Sequence, residues 1–250
     1  MSENMHIERY GQGEKIIFIH GSGWNTHMWY GQRDYLAKSM EVILIDLPGH
    51  GESSGDGCQS VEEYRDAIYS MIKRLDIGQP YIVGHSLGGA IALSLSLAYP
   101  DTFKGTVLIG TGAKLKVLPR ILEGIIKEKE KTLRDTAKLA FSEKADTALK
   151  NQAFDETMRC AAEVIFGDFY ACKSFDVMAS VSSLSLPTLI VCGIDDALTP
   201  SKYSFYLNKA IRGSKLVLVE GAGHMVMMEK PMEVNNAIER FVKNEDAAPG

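Results

Sequence analysis

Short runs that are apolar at almost every position recur along the chain, at Lys15–His20, Val42–Asp46, Pro80–Gly84, Thr106–Gly110, Thr188–Gly193 and Lys215–Glu220. Segments such as IIFIH, VILID and TLIVCG do not alternate apolar with polar. Strands read this way when both faces of their sheet are covered, as in a parallel sheet flanked by helices. Between these runs the period changes. Val61, Tyr64, Ile68, Met71, Ile72 and Leu75 fall on one helical stripe within Val61–Leu75. Leu87–Tyr99, Tyr203–Ile211 and Met232–Lys243 are further helix candidates, the last preceded by Pro231, which suits a first helical turn. Strand and helix alternating in this manner predict an α/β fold with a mostly parallel, doubly wound sheet.

The rhythm breaks once. The strand ending near Gly110 and the next one at Thr188 lie much farther apart than one crossover helix requires, and a structureless loop of that length would be unusual. Helical stripes fill the gap: Leu133, Thr136, Ala137, Ala140 and Phe141 form one, and Phe154, Met158, Ala161, Ala162 and Ile165 another. Residues 113–186 therefore read as a helical insertion in a core made of 1–112 and 187–250. The tail Asn244–Gly250 reads as frayed.

Composition removes several function classes. The 250 residues are 45% hydrophobic and 24% charged, which argues against a disordered or fibrous chain. Lys plus Arg number 27 and Asp plus Glu 32, so the net charge of −5 offers no cationic surface for nucleic acid. No apolar run approaches the roughly 18–20 residues needed for a membrane span. Met1–Lys15 has no apolar signal core, so the expectation is a cytoplasmic protein. Cys58, Cys160, Cys172 and Cys192 are scattered without a C-x-x-C pair, as suits reduced thiols, with Cys192 expected inside a strand.

The strongest chemical signal is Gly84-His85-Ser86-Leu87-Gly88, a G-x-S-x-G between a strand and a helix. A serine on such a sharp turn is lifted above the sheet, and the glycines let neighbouring backbone approach it. The helix start also presents the Leu87 N–H to a developing oxyanion. Two further glycine-rich turns follow strands: His20-Gly21-Ser22-Gly23, and Asp46-Leu47-Pro48-Gly49-His50-Gly51-Glu52-Ser53. With the serine motif, these make the chain resemble the α/β-hydrolase superfamily, in particular its lidded group of carboxylesterases, enol-lactone hydrolases and carbon–carbon bond hydrolases. The resemblance covers most of the chain outside 113–186.

That resemblance implies an α/β-hydrolase fold, a serine nucleophile at Ser86 and a second oxyanion donor from the Ser22 N–H, with Gly23 the weaker candidate. In the family the order is nucleophile, acid, histidine. Of His6, His20, His27, His50, His85 and His224, only His224 follows Ser86, and it lies in a glycine-rich turn after a strand. Gly193-Ile194-Asp195-Asp196 offers two carboxylates to orient it. The family spacing G-x-x-D-x-x-x-P, closed here by Pro200, selects Asp196 and leaves Asp195 a turn residue. His85 is expected to point away from Ser86 and pack, His20 and His50 to hold loops, and His6 and His27 to lie at the surface or rim.

No third glycine completes a dinucleotide fingerprint, and neither G-K-[ST] nor H-E-x-x-H occurs, so neither a cofactor nor a metal is expected. The implied activity is hydrolysis of small-molecule esters with small to medium apolar acyl groups. Enol-lactonase, carbon–carbon hydrolase, thioesterase, acyltransferase and receptor relatives share the scaffold. The insertion, with 12 Lys or Arg against 11 Asp or Glu, has almost no net charge with which to steer an anionic substrate. It is expected to form a lid with an apolar underside. Trp24, Phe166, Phe169, Met178 and Met225 are the candidates for lining the pocket.

Overall fold

Each continuous apolar run becomes a strand within a residue or two of its expected limits. The computed structural model describes residues 4–245. Its elements are β1 (Ile7–Tyr10), β2 (Glu14–Ile19), α1 (Tyr30–Leu36), β3 (Met40–Ile45), α2 (Val61–Arg74), β4 (Tyr81–His85), α3 (Leu87–Ala98), β5 (Gly105–Ile109), α4 (Pro119–Lys127), α5 (Lys129–Ala140), α6 (Thr147–Arg159), α7 (Ala162–Ser174), β6 (Thr188–Gly193), α8 (Lys202–Ala210), β7 (Lys215–Val219), α9 (Val226–Glu229) and α10 (Pro231–Val242). No helix among the described residues is long and apolar enough to cross a membrane.

The strands form a 7-stranded sheet in the order β1-β3-β2-β4-β5-β6-β7. All neighbours are parallel except β1, which pairs antiparallel with β3, setting Ile7 opposite Ile45. The hydropathy pattern does not predict β1, because its four residues IERY are half-buried or exposed at the sheet edge. Nor does it predict α1, a short helix burying Gln32 and Leu36.

Successive residues of a strand face opposite ways, so a sheet covered on both sides needs apolar residues at every position. Ile17, Ile19, Ile43, Ile45 and Ile82 pack on one side, against α2 and α3. Ile16, Phe18, Val42, Leu44 and Val83 pack on the other, against α10 and the Trp29 ring. The start of α2 is fixed by a capping box, in which Ser60 accepts from the Glu63 amide and the Glu63 carboxylate accepts from the Ser60 amide. At the far end of the chain, Asn244 and Glu245 still hydrogen-bond back to α10, whereas residues 246–250 of the tail expected to fray lie outside the described residues.

Four helices, α4 to α7, fill the long gap between β5 and β6. The second stripe read from the sequence is split. α6 ends at Arg159, and Cys160 and Ala161 are extended before α7 begins. Phe154, Met158, Ala162 and Ile165 nevertheless meet in one small cluster with Ile125 and Leu133, because α6 packs on α5, α7 packs on α4, and α4 and α5 pack on each other. The outer face is solvated and carries exposed ion pairs such as Arg134–Glu130 and Lys138–Asp135, which contribute little to stability.

Phe18 lies fully buried in the central part of the sheet, its ring 5.0 Å from that of Trp29. Phe18→Ala is expected to lower the free energy of unfolding by about 3–5 kcal/mol, measured by urea denaturation.

Candidate active site

Ser86 sits between the last residue of β4 and the first of α3, with φ 54° and ψ −115°. A side chain rarely adopts such a backbone conformation, and its surroundings must enforce it. A Cβ at Gly84 would collide with the Gly88 carbonyl, and one at Gly88 with the carbonyls of Ile19 and His20, so both positions of the motif need glycine. The turn is secured by the Ser86 amide donating to the Ile109 carbonyl at 3.0 Å and by the Thr111 hydroxyl donating to the Ser86 carbonyl at 2.9 Å. Leu87 opens α3, where an amide has no acceptor within its own helix.

His224 follows β7 and presents Nδ1 to Asp196 Oδ2 at 2.9 Å. An ionised carboxylate only accepts, so Nδ1 carries the proton and Nε2 is left with its lone pair. Asp196 is buried, whereas Asp195 is exposed. The amides of Leu198 and Thr199 donate to Asp196 Oδ1, and the Thr199 hydroxyl donates to Oδ2 at 2.8 Å while lying 3.1 Å from His224 Nδ1. Burial alone would raise the Asp196 carboxyl; the adjoining His224 ring and the hydrogen bonds from Thr199 outweigh it and hold the group below the usual carboxylate range.

Ser86, His224 and Ser22 line one cavity of about 140 Å³. All five residues of the first helical stripe, Leu133, Thr136, Ala137, Ala140 and Phe141, face it, and so do Trp24, Phe169 and Met225. Two expected lining residues do not. Phe166 turns into the cluster between α4, α6 and α7, its ring 6.3 Å from that of Tyr170. Met178 lies beyond the end of α7 and is exposed, its carbonyl accepting from the Tyr206 hydroxyl. Cys172 also borders the cavity, but burial pushes its thiol up to about 12, too high for a thiolate nucleophile at neutral pH.

Three of the other histidines, His20, His50 and His85, hold backbone. His85 does more than pack: its ring borders the cavity, and Nε2 contacts the His224 carbonyl at 3.0 Å. Burial, with the neighbouring His224, pushes its pKa well down and keeps it neutral. His20 Nε2 accepts from the Leu47 amide, so the proton sits on Nδ1, which donates to the Gly21 carbonyl at 2.8 Å. His50 donates from Nδ1 to the Pro48 carbonyl and from Nε2 to Asp168 Oδ2 at 2.9 Å. Burial would lower the His50 pKa; the touching Asp168 carboxylate reverses this and holds it well above the ordinary value. His6 is half-buried beside Glu8, and His27 is exposed, 3.3 Å from Glu156.

Sequence reasoning missed two acidic residues that organise this region. Asp168 on α7 is fully buried and accepts from the Gly23 amide at 2.8 Å and the Tyr64 hydroxyl at 2.6 Å as well as from His50. Its signal was present: it lies on the stripe Val164, Ile165, Ala171 and Cys172, with no Lys or Arg three or four residues away. Glu229 accepts from the amides of Gly223 and Ser142, and the Met225 amide donates to the Ala140 carbonyl, so the His224 loop is tied to the end of α5. Among the described residues, no group of three His, Cys, Asp or Glu side chains could hold a metal ion.

The pattern that defines the Alpha/beta hydrolase family matches residues 16–237. The chain belongs to this family. A thermophilic esterase of known structure is 36% identical, with a TM-score of 0.84 and coverage of 96% of this chain and 98% of that one. The (E)-2-((N-methylformamido)methylene)succinate hydrolase of Acinetobacter baylyi is 24% identical over 95% of this chain and 94% of its own length. The pimeloyl-[acyl-carrier protein] methyl ester esterase of Nitrosomonas europaea is 24% identical over 98% and 99% respectively.

The folded-state pKa of His50 lies above the 6.5 of an unperturbed histidine. Its proton therefore contributes fully to this α/β hydrolase's stability below pH 6.5, and the contribution is lost as pH rises through the folded value. Nitrogen NMR at pH 7.5 is expected to show both His50 ring nitrogens protonated, against one each for His20 and His85. On the alkaline side, the fall in Tm is expected to follow loss of the His50 imidazolium signal.

Proposed function

We propose that the protein is a serine esterase for small to medium apolar acyl groups, with Ser86 as nucleophile, His224 as base, Asp196 as its orienting anion, and the Ser22 and Leu87 amides as oxyanion donors. The observation that carries this reading is the shared cavity: a strained serine and a carboxylate-bound histidine line the same apolar space. The Gly23 amide is already engaged by Asp168, which leaves Ser22 as the donor from that turn.

The reaction follows from these positions. Ser86 Oγ attacks the ester carbonyl as His224 Nε2 takes its proton, and the charge that develops on the carbonyl oxygen falls between the two amides. Collapse breaks the bond to the alcohol oxygen, which receives the proton from Nε2. Water then attacks the acyl-enzyme, giving its proton to His224 Nε2; collapse breaks the bond to Ser86 Oγ, which takes that proton back from Nε2 as the acid leaves. Asp196, held ionised, stabilises the imidazolium in both halves. Helices α4–α7 act as a lid, their apolar side toward the acyl chain. The esterase and methyl ester esterase among the relatives support an ester as substrate.

A fluorophosphonate probe is expected to add one label to the native protein, and Ser86→Ala to abolish both labelling and ester hydrolysis. Labelling that persists in Ser86→Ala rejects the reading. Asp196→Asn is expected to lower kcat by roughly 10²–10⁴-fold, since an amide neither stabilises imidazolium nor enforces the tautomer. Asp195→Asn, at an exposed site, is expected to leave kcat nearly unchanged.

Across p-nitrophenyl esters, kcat/KM is expected to rise with acyl length and fall once the cavity of about 140 Å³ is full. Each methylene contributes roughly 1–3 kcal/mol at most. A flat profile counts against acyl binding in this cavity.

A further inference from the structure

The turn that carries Ser22 is held from both sides. In a trans peptide the carbonyl and the N–H point in opposite directions. The Gly21 carbonyl shares its peptide with the Ser22 N–H, and it accepts from His20 Nδ1 at 2.8 Å and from the Trp24 amide at 3.2 Å. With that carbonyl turned inward, the Ser22 N–H faces the other way. The following peptide is fixed at its opposite end, where the Gly23 N–H donates to Asp168 Oδ2 at 2.8 Å. Both peptides that flank the Ser22 Cα are therefore pinned, one by the core and one by the insertion.

The contact on Gly23 is itself rigid. Asp168 is fully buried, and its carboxylate also accepts from the Tyr64 hydroxyl on α2 and from His50 Nε2. His50 is set in turn by the Pro48 carbonyl. Gly23 has φ +69°, and a Cβ there would approach Ile165 of α7 to 3.2 Å, so the same helix also closes over the turn. Three donors from three separate segments meet on this one carboxylate, and together they limit its rotation.

We propose that Asp168 is a positioning residue for the reaction: through the Gly23 amide it aims the Ser22 N–H at the oxyanion, so that the insertion contributes to transition-state stabilisation as well as covering the cavity. This rests on the serine-esterase reading above. The function of Asp168 is exerted through backbone, and it touches no reacting atom. A donor held loosely loses much of its value because its alignment is then paid for during the reaction.

The experiment compares Asp168→Ala, Asp168→Asn and Tyr64→Phe in the full-length protein, each checked for folding by thermal melting. Asp168→Ala is expected to lower kcat about 10- to 100-fold with KM within about twofold, less than or comparable to deleting an oxyanion donor outright. Asp168→Asn keeps an oxygen for the Gly23 amide and is expected to restore most of kcat. Tyr64→Phe removes one bond to the carboxylate and is expected to cost about 3- to 10-fold, again in kcat; it decides the question if Asp168→Ala does not fold.

Two inhibitors separate aim from general damage. A trifluoromethyl ketone forms an oxyanion on Ser86, whereas the methyl ketone of the same chain length only fills the cavity. Affinity for the first is expected to fall by the same factor as kcat/KM and affinity for the second to stay constant. Glu156→Gln, which weakens a different tie from the insertion to Asn25, is expected to lower Tm without changing kcat. The proposal is overturned if the folded variants keep wild-type kcat, or if both ketones weaken alike. Activity retained in Ser86→Ala would instead overturn the serine-esterase reading, independently of Asp168.

Discussion

Backbone passes backbone at the start of α3 with no room for a single methyl group, and the arrangement of the site follows from that approach. Gly88 lies against the carbonyls at the end of β2, while Gly84 lies under the first turn of α3. This contact forces Ser86 into its unusual backbone angles and brings its Cβ close to Gly21, where a Cβ would lie 3.4 Å away. The proposed nucleophile and the turn proposed to stabilise its oxyanion are thereby placed side by side by chain packing, before any side-chain contact is made. The strain at Ser86 is held by the hydrogen bonds from Ser86 to β5 and from Thr111 to Ser86, so the sheet itself keeps the serine raised.

The sheet was legible because its physics is local. A strand buried on both faces must be apolar throughout, and IIFIH, VILID and TLIVCG are. β1 escaped because it is short, half-exposed and joined antiparallel at an edge, where only part of one face needs to be apolar. The serine motif pointed to Ser86, and the family resemblance then selected Asp196 and His224; the fold sets the last two in contact and all three near one end of the sheet. Pocket lining was harder to read. The stripe from Leu133 to Phe141 faces the cavity because one straight helix carries most of it, whereas Phe166 and Met178 depend on how α7 is rotated and where its following loop runs. Asp168 depends on partners from three separate segments, and no local pattern contains all of them.

Charge is used sparingly in the interior and always with compensation. Asp196 and Asp168 each accept several hydrogen bonds, and each faces a histidine. The consequences differ. His224 must be able to gain and lose a proton during turnover in the proposed mechanism, and its ring borders the cavity, whereas both His50 nitrogens are committed to fixed acceptors. Two chemically similar pairs thus serve opposite ends: one is left able to cycle, and the other is locked as part of the scaffold.

The tie between the His224 loop and the end of α5 bears on traffic through the cavity. Met225 is bonded to the Ala140 carbonyl, and Glu229 holds the amides of both Gly223 and Ser142. If the whole insertion swung away as a door, it would pull on the very loop that carries His224, the proposed base, and would have to break these bonds on each opening. Helix α4 takes part in none of these three bonds. If helices α4–α7 cover the cavity as proposed, the end of α5 is a fixed wall of it, and reagent exchange would depend on the parts of the cover that this tie does not hold.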